Sequence, residues 1–418
     1  MPPTSRAFAA SYRMIIGRAW PIVLANSATP LLGLADTAVI GRTGSVASLG
    51  AIALGSLIFS FVYWTFGFLR MGTTGLISQA SGSENEVEVR AVMGRSILMG
   101  AVIGLALILA QIPIFKLALS ILNGSEAVEG AANTYLNLRI WAAPATLVTY
   151  AIMGGLIGLG RSRTLLVVQV FLNALNIALD LILAGYFEMG VAGVGLGTMI
   201  AEWAAALLAI YLMVGILRAR NRSDSLLWSW SNISDTRPLA RMVIVNLNIM
   251  IRTLSLLLGF GWFTQQGARL GDVTLAANHI LLQFVSFSAF FLDGIAYATE
   301  ALVGAAAGAR RLDVFNVLVR RTGVLAGVTA FFLSLGFFAF GSEVAHALTN
   351  FELVHQSVVA NLPFASFYIL VSFVAFQLDG IYIGVTRTRD MRNAGLASLL
   401  IFIAVAWPLT QALGNRGL

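Results

Sequence analysis

Eight ionisable side chains stand inside apolar runs of this chain: the acids Asp36, Asp180, Glu202, Asp293, Glu300 and Asp379, and the bases Arg70 and Arg252. Placing such a group in a bilayer costs roughly 2.5–3.5 kcal/mol on insertion scales, so each is a candidate for function. An acid in an apolar medium can hold a proton, a dehydrated cation or an arginine, and little else. The absence of cysteine removes thiol nucleophiles, disulfides and cysteine-bound metals, and three histidines do not make a histidine-rich metal centre. No nucleophile–base pair or metal cluster emerges, and an enzyme is not expected.

Depth sorts these groups. At about 1.5 Å of rise per residue, counted from the arginine that begins each helix, Asp36 above Arg18 and Asp180 above Arg163 both lie about 26–27 Å up. Asn173, Asn176 and Asp180 share one helical face, and Thr198 falls in the same layer on the next helix. Two carboxylates, amide oxygens and a hydroxyl in one layer can bind a proton or Na+; the alternative is a buried polar network that only fixes helix packing. Pro21 and Pro30 precede Asp36, and an interior proline removes a helical hydrogen bond and permits a kink, so this helix is a candidate hinge beside a titratable group; the alternative is two prolines tolerated in a membrane helix without motion. In the second half, Arg252 at about 17 Å matches Glu300 at about 15 Å or Asp379 at about 12 Å, while Asp293 at about 26 Å is out of easy reach. An arginine partner keeps a carboxylate ionised, so this half is second choice for ion coupling and reads as structural ion pairing.

The elements that carry these residues are membrane helices. Of 418 residues, 58% are hydrophobic and 11% charged, and the mean hydropathy is +0.85, far from a soluble domain. Apolar runs at 14–40, 46–79, 94–115, 133–158, 164–186, 191–216, 241–265, 273–305, 317–341, 357–385 and 393–413 predict eleven spans. The net charge of +7 is not a nucleic-acid patch, because 19 of the 26 basic residues fall at the helix ends and connections of one side. The positive-inside rule makes that side, with the N-terminus, cytoplasmic in a multi-pass cell-membrane protein. Arg6, Arg13 and Arg18 flank an apolar run longer than a signal peptide, and no cleaved signal is expected.

One offset, 226 residues, organises the whole chain. Gly154-x-x-x-Gly158-x-x-Arg161-x-Arg163 recurs as Gly380-x-x-x-Gly384-x-x-Arg387-x-Arg389; Thr73, Leu76 and Gly82 recur as Thr299, Leu302 and Gly308; Arg95 recurs as Arg321 and Phe61 as Phe287. The fold class is therefore all-α and polytopic, two six-helix lobes in a parallel repeat. Residues 1–216 form the N-lobe, 217–240 a cytoplasmic linker and 241–418 the C-lobe. The partner of the sixth helix is expected to begin near residue 417, where the sequence stops at Leu418; either the sequence is truncated before a twelfth helix or the protein has eleven helices and an outward C-terminus. None of the intramembrane acids has an acidic repeat partner, so the two lobes have diverged in charge.

Other motifs carry less. Glu343-x-x-His346 and Glu352-x-x-His355 have a metal-site spacing, but lie in an expected outer connection, 342–356, without the further glutamates such sites need. Gly193-x-Gly195-x-Gly197 opens a membrane helix with no preceding strand, so close helix packing explains it better than a nucleotide. His279 beside Asn278 and Gln283 reads as a packing group. Phe61 and Trp64, with Phe287 and Phe290 on the paired helix, are candidates to line a cavity for organic cations, although most such phenylalanines touch lipid or neighbouring helices.

Asp36-Thr37-Ala38-Val39-Ile40-Gly41-Arg42, Asn176-x-x-x-Asp180, Met189-Gly190-Val191-Ala192-Gly193, Ala276-Ala277-Asn278 and Asp293-Gly294 together resemble the multidrug and toxic compound extrusion (MATE) transporters, DinF-like branch. The resemblance implies two six-helix lobes around a cavity that exchange cytotoxic, lipophilic or cationic organic compounds for H+ or Na+. It further implies that Asp36, Asn176, Asp180 and Thr198 form the coupling-ion site and that Pro21 is the bending point of the first helix. Asp379 takes the place of an acid that belongs to a C-lobe Na+ site in other branches. The expected activity is antiport by alternating access, by a monomer in the lipid bilayer that acts on a small-molecule substrate with no cofactor beyond the ion and no nucleic-acid partner. A lipid-precursor flippase of the same superfamily is the alternative, disfavoured by an acid-rich membrane interior; a gated channel is the other, distinguished by conduction without stoichiometric coupling.

Overall fold

A computed structural model describes residues 10–43, 45–122, 124–220 and 227–418; the side chains of 29–32, 34, 35, 42 and 43, which include Pro30 and Arg42 of the motifs above, lie outside the described residues. Helices carry almost all of it: α1 Tyr12–Thr43, α2 Val46–Thr65, α3 Phe68–Gly82, α4 Glu86–Leu109, α5 Gln111–Leu122, α6 Glu126–Arg139, α7 Ala143–Gly158, α8 Ser162–Asp180, α9 Gly190–Arg220, α10 Trp230–Ile233, α11 Thr236–Arg269, α12 Asp272–Gly308, α13 Leu312–Leu348, α14 Glu352–Gly384 and α15 Thr388–Leu413. Among the described residues ten stretches are long and apolar enough to cross a membrane, and α1, at 32 residues, is about 48 Å long.

Two expectations need adjusting. The third span stops at Leu109, and α5 follows it as a separate short helix, not as a continuation to 115. The expected outer connection 342–356 is mostly helical, because α13 runs on to Leu348 and α14 begins at Glu352. Glu343, His346 and His355 therefore sit on helices, where the two imidazoles meet edge to face at 5.6 Å and His355 Nε2 lies 3.2 Å from the Ser342 carbonyl oxygen.

The repeat is visible in the backbone. Left-handed residues close helices at Glu84 and Arg310, at Gly160 and Thr386, and at Glu188 and Gly414, each pair one repeat apart. At the first two pairs the hydrogen bonds also correspond: Arg161 N donates to Leu156 O and Arg387 N to Tyr382 O; Asn85 N donates to Ala80 O and Arg311 N to Ala306 O. These are the six-to-one bonds of a Schellman close, which needs one left-handed residue. The Gly-x-x-x-Gly pairs do the same work in both halves. A Cβ on Gly154 would stand 2.3 Å from the Arg70 carbonyl oxygen and one on Gly158 2.9 Å from that of Thr74, while Gly380 and Gly384 meet Ala296 and Glu300 oxygens at 2.7 Å each. Ala296 and Glu300 are the repeat equivalents of Arg70 and Thr74; the missing side chains let two helix backbones touch.

Packing divides the chain differently from the repeat. One compact unit comprises Met1–Val23 with Ile244–Leu418, the other Leu24–Val243. The cut passes through the first helix of each half, α1 and α11, near equivalent positions. In the first unit Ile15 packs with Leu302, Val303 and Leu318, Ala19 with Ile295 and Ala326, and Arg321 donates to Ala10 O and covers the Tyr12 ring. In the second, Arg95 donates to Ile233 O at 3.2 Å and to Asn232 O, and Ser96 reaches Met242 Sδ. Arg95 and Arg321, the repeat pair, each tie down the segment that leads into the first helix of the opposite half.

Candidate functional site

Within the Leu24–Val243 unit, α1, α8 and α9 bring the predicted residues together. Asp36 is 1% exposed and Asp180 is completely buried, and their carboxyl groups lie within hydrogen-bonding reach of each other. Asn176 Nδ2 donates to Thr198 Oγ1 at 3.1 Å, and Asn173 Nδ2 ties α8 to α1 through Ala28 O at 2.9 Å. Asp36 Oδ1, both carboxylate oxygens of Asp180 and Asn176 Oδ1 are buried and receive no hydrogen bond from the described residues. Those oxygens are the donor set a small cation or proton requires, and buried carboxylates persist where such a positive partner joins them.

Local sequence explains how the acids come so close. Gly193 and Gly197 give α9 a bare strip: a Cβ at Gly193 would lie 2.7 Å from Ala184 N, and one at Gly197 2.7 Å from Asp180 Oδ1. The Gly-x-Gly-x-Gly run is thus a packing surface that leaves room for a carboxylate. Asp180 ends α8, and the chain continues as a π-helix, Leu181–Tyr186, an irregularity that often accompanies functional positions. The fourth span is also broken, by a 3-10 turn at Ile140–Ala142, between α6 and α7.

That second break holds the group which sequence reasoning missed. Arg139, at the end of α6, is half-buried and donates to the Tyr135 hydroxyl. Its guanidinium stands 4.9 Å from the Phe59 ring centre and 5.4 Å from that of Tyr135, and it acts electrostatically on Asp36, Asp180 and Glu202. Gly55 makes space for Tyr135, since a Cβ there would be 2.3 Å from its ring. The one signal available beforehand was Tyr135-x-x-x-Arg139, which puts the hydroxyl and the guanidinium on a single helical face.

The remaining candidates are placed as follows. Pro21 is buried in α1, two residues before the cut between units. Arg252 pairs with Asp379, so of the two acids at matching depth it is Asp379 that it meets. Glu300 is buried on α12 and Asp293 half-buried two turns earlier. Phe61 and Trp64 on α2 are largely exposed; Phe287 is half-exposed and packs edge-on against Phe337 of α13, and Phe290 is half-buried. His279 approaches Gln283 Nε2 at 3.3 Å, and Asn278 exchanges hydrogen bonds with Asn415.

Comparison with known proteins agrees with this architecture. The MatE family model matches residues 21–182 and again 250–407. The chain belongs to the MatE family. Two matches in tandem are what a duplicated chain should give. Among family relatives, DNA damage-inducible protein F of Escherichia coli K12 is 36% identical over 409 residues, covering 96% of this chain and 86% of the relative. A probable multidrug resistance protein NorM of Rhizobium meliloti is 27% identical over 408 residues, covering 93% and 83%. A crystal structure of MATE in the bent conformation superposes with a TM-score of 0.89 at 19% identity, covering 98% of this chain and 91% of that one. An outward-facing multidrug resistance MATE family transporter gives 0.87 at 18%, covering 97% and 90%. These structural likenesses show the shared fold.

Proposed function

We propose that this MatE-family membrane protein is a cation-coupled exporter, driven by H+ or Na+, that expels lipophilic or cationic organic compounds by alternating access. One observation carries the reading: four buried oxygens of Asp36, Asp180 and Asn176 have no donor among the described residues while the two acids face each other. The names of relatives, multidrug resistance protein NorM and multidrug export protein MepA of Staphylococcus aureus, support the class of cargo. The ion enters from the outer side, joins the two carboxyl groups and leaves on the arginine-rich, cytoplasmic side; the cargo moves the other way.

Coupling needs a part that both steps move. Helix α1 is that part, because Asp36 belongs to one compact unit and residues up to Val23 pack in the other. An ion that draws Asp36 and Asp180 together changes the strain along α1, and Pro21, which lacks the N–H that Gly17 O would accept, is where the helix gives. Such a shift reaches the cargo only if the ion binds one state more tightly than the other. Arg252 with Asp379 holds together the unit that contains Ile244–Leu418 and stays outside the cycle.

The test is efflux of a fluorescent organic cation from proteoliposomes under an imposed H+ or Na+ gradient. Asp36→Asn and Asp180→Asn are expected to abolish gradient-driven efflux while the proteins stay folded, and the gradient that drives the wild type identifies the ion. Unchanged efflux in both variants refutes the site.

A further inference from the structure

At the arginine-rich end of the Leu24–Val243 unit, a cavity of about 380 Å³ opens between α3, α4 and the start of α11, lined by Arg95, Arg237, Arg241, Glu88, Val92 and Met242 among others. Three guanidiniums stand against one carboxylate. Arg95 is 3% exposed and committed to Glu88 at 2.9 Å and to two backbone oxygens, so it supplies fixed charge. Arg237 and Arg241 are exposed, and among the described residues no ion pair engages either guanidinium.

Their location makes the positive charge unusual. Helix α11 has no acid in its first turn, and Asp235 just before it accepts from Arg237 N at 3.2 Å; Arg237 and Arg241 still place two positive charges at this end, where the macrodipole favours negative charge. One carboxylate does not balance two guanidiniums and a positive helix end, so this corner of the cavity keeps a net positive charge. The neighbouring hollow of about 300 Å³, on the same stretch of α4, is lined by Arg90 and Trp228, and the Trp228 indole N–H is buried with no acceptor among the described residues. Close by, Trp230 is 70% exposed, as expected of a tryptophan at headgroup depth. The cavity thus combines basic donors, an apolar wall of Val92 and Met242, and a place at the membrane surface.

We infer that this cavity binds the phosphate of an anionic phospholipid headgroup from the arginine-rich leaflet, with Arg237 and Arg241 as the phosphate donors and Val92 and Met242 against the glycerol and first acyl carbons. A basic pocket among helix ends on this side is the place where such headgroups are held. The bound lipid would bridge α4 to the start of α11, the same junction that Arg95 ties from within. The inference does not depend on which ion drives transport.

Native mass spectrometry of the full chain, delipidated and titrated with phosphatidylglycerol, phosphatidylcholine or inorganic phosphate, tests it. Phosphatidylglycerol adducts are expected on the wild type, with the affinity reduced on the order of 30-fold in Arg237→Gln/Arg241→Gln, from the usual contribution of an arginine near an anionic surface. Arg163→Gln/Arg389→Gln, which removes the same charge from exposed arginines elsewhere on this side, should bind as the wild type does. Both altered side chains in the first variant are exposed, and an unchanged thermal midpoint in phosphatidylcholine verifies its fold. Equal losses in the two double variants would mean a diffuse surface-charge effect and overturn the site. Displacement of the lipid by millimolar inorganic phosphate would overturn the lipid assignment in favour of a free-anion site.

Discussion

Replacing Gly197 by alanine probes the carboxylate pair without removing a charge. The new methyl would stand 2.7 Å from Asp180 Oδ1 and 3.3 Å from Leu179 Cβ. Ordinary contact begins near 3.4 Å, so the carboxylate must retreat by roughly 0.7 Å, or α9 must back away along its glycine strip, where Gly193 already touches Ala184. Overpacking of this kind costs about 1–3 kcal/mol. If the displaced oxygen is a cation ligand, the cost falls on the ion-bound state and lowers ion affinity by roughly 5- to 150-fold at RT of about 0.6 kcal/mol. The assay is the driving-ion concentration that gives half-maximal efflux in proteoliposomes, with direct ion titration of purified protein by calorimetry. Gly215→Ala on the same helix is the control: its methyl meets nothing within 4 Å, and it carries the same helix-propensity gain. A Gly197→Ala protein that matches Gly215→Ala in both measurements refutes the placement of Asp180 Oδ1 in the ion site.

Arg139→Gln removes a positive charge that acts on the acids, and half-maximal efflux is then expected at a lower driving-ion concentration, read in the same assay; a rise would show that Arg139 organises the site instead of opposing the ion. Gly154→Ala and Gly380→Ala drive a methyl into the backbone oxygens of Arg70 and Ala296, and each should lower the thermal midpoint in detergent by the equivalent of about 1–3 kcal/mol, Gly154→Ala more severely because its clash is closer; Gly336→Ala, with open space, should not. Pro21→Ala restores the helical N–H that α1 lacks, so ion binding should persist by calorimetry while the efflux rate falls, and an undiminished rate argues against bending there.

The carboxylate pair shows how far one-dimensional reasoning reaches. Counting rise from Arg18 and Arg163 placed Asp36 and Asp180 in one layer, and the fold brings them into contact. The same counting left Arg252 with two acids at matching depth, Glu300 and Asp379, and only lateral packing selects Asp379. Depth counting did not single out Arg139, because a basic residue near a span end ordinarily snorkels to water. The break at Ile140–Ala142 ends α6 there, and Phe59 and Tyr135 hold its guanidinium among the helices.

Span positions, the duplication and the layer of the acids follow from the sequence, since the length of an apolar run, a constant offset and a fixed rise per residue are properties of order along a chain in a slab of oil. Which faces meet, where a helix breaks, and the assignment of the first half of α1 to the unit built from Ile244–Leu418 are properties of the folded protein. They depend on side chains hundreds of residues apart filling one another's spaces, as Gly294 does for Val23, and no local pattern encodes that fit.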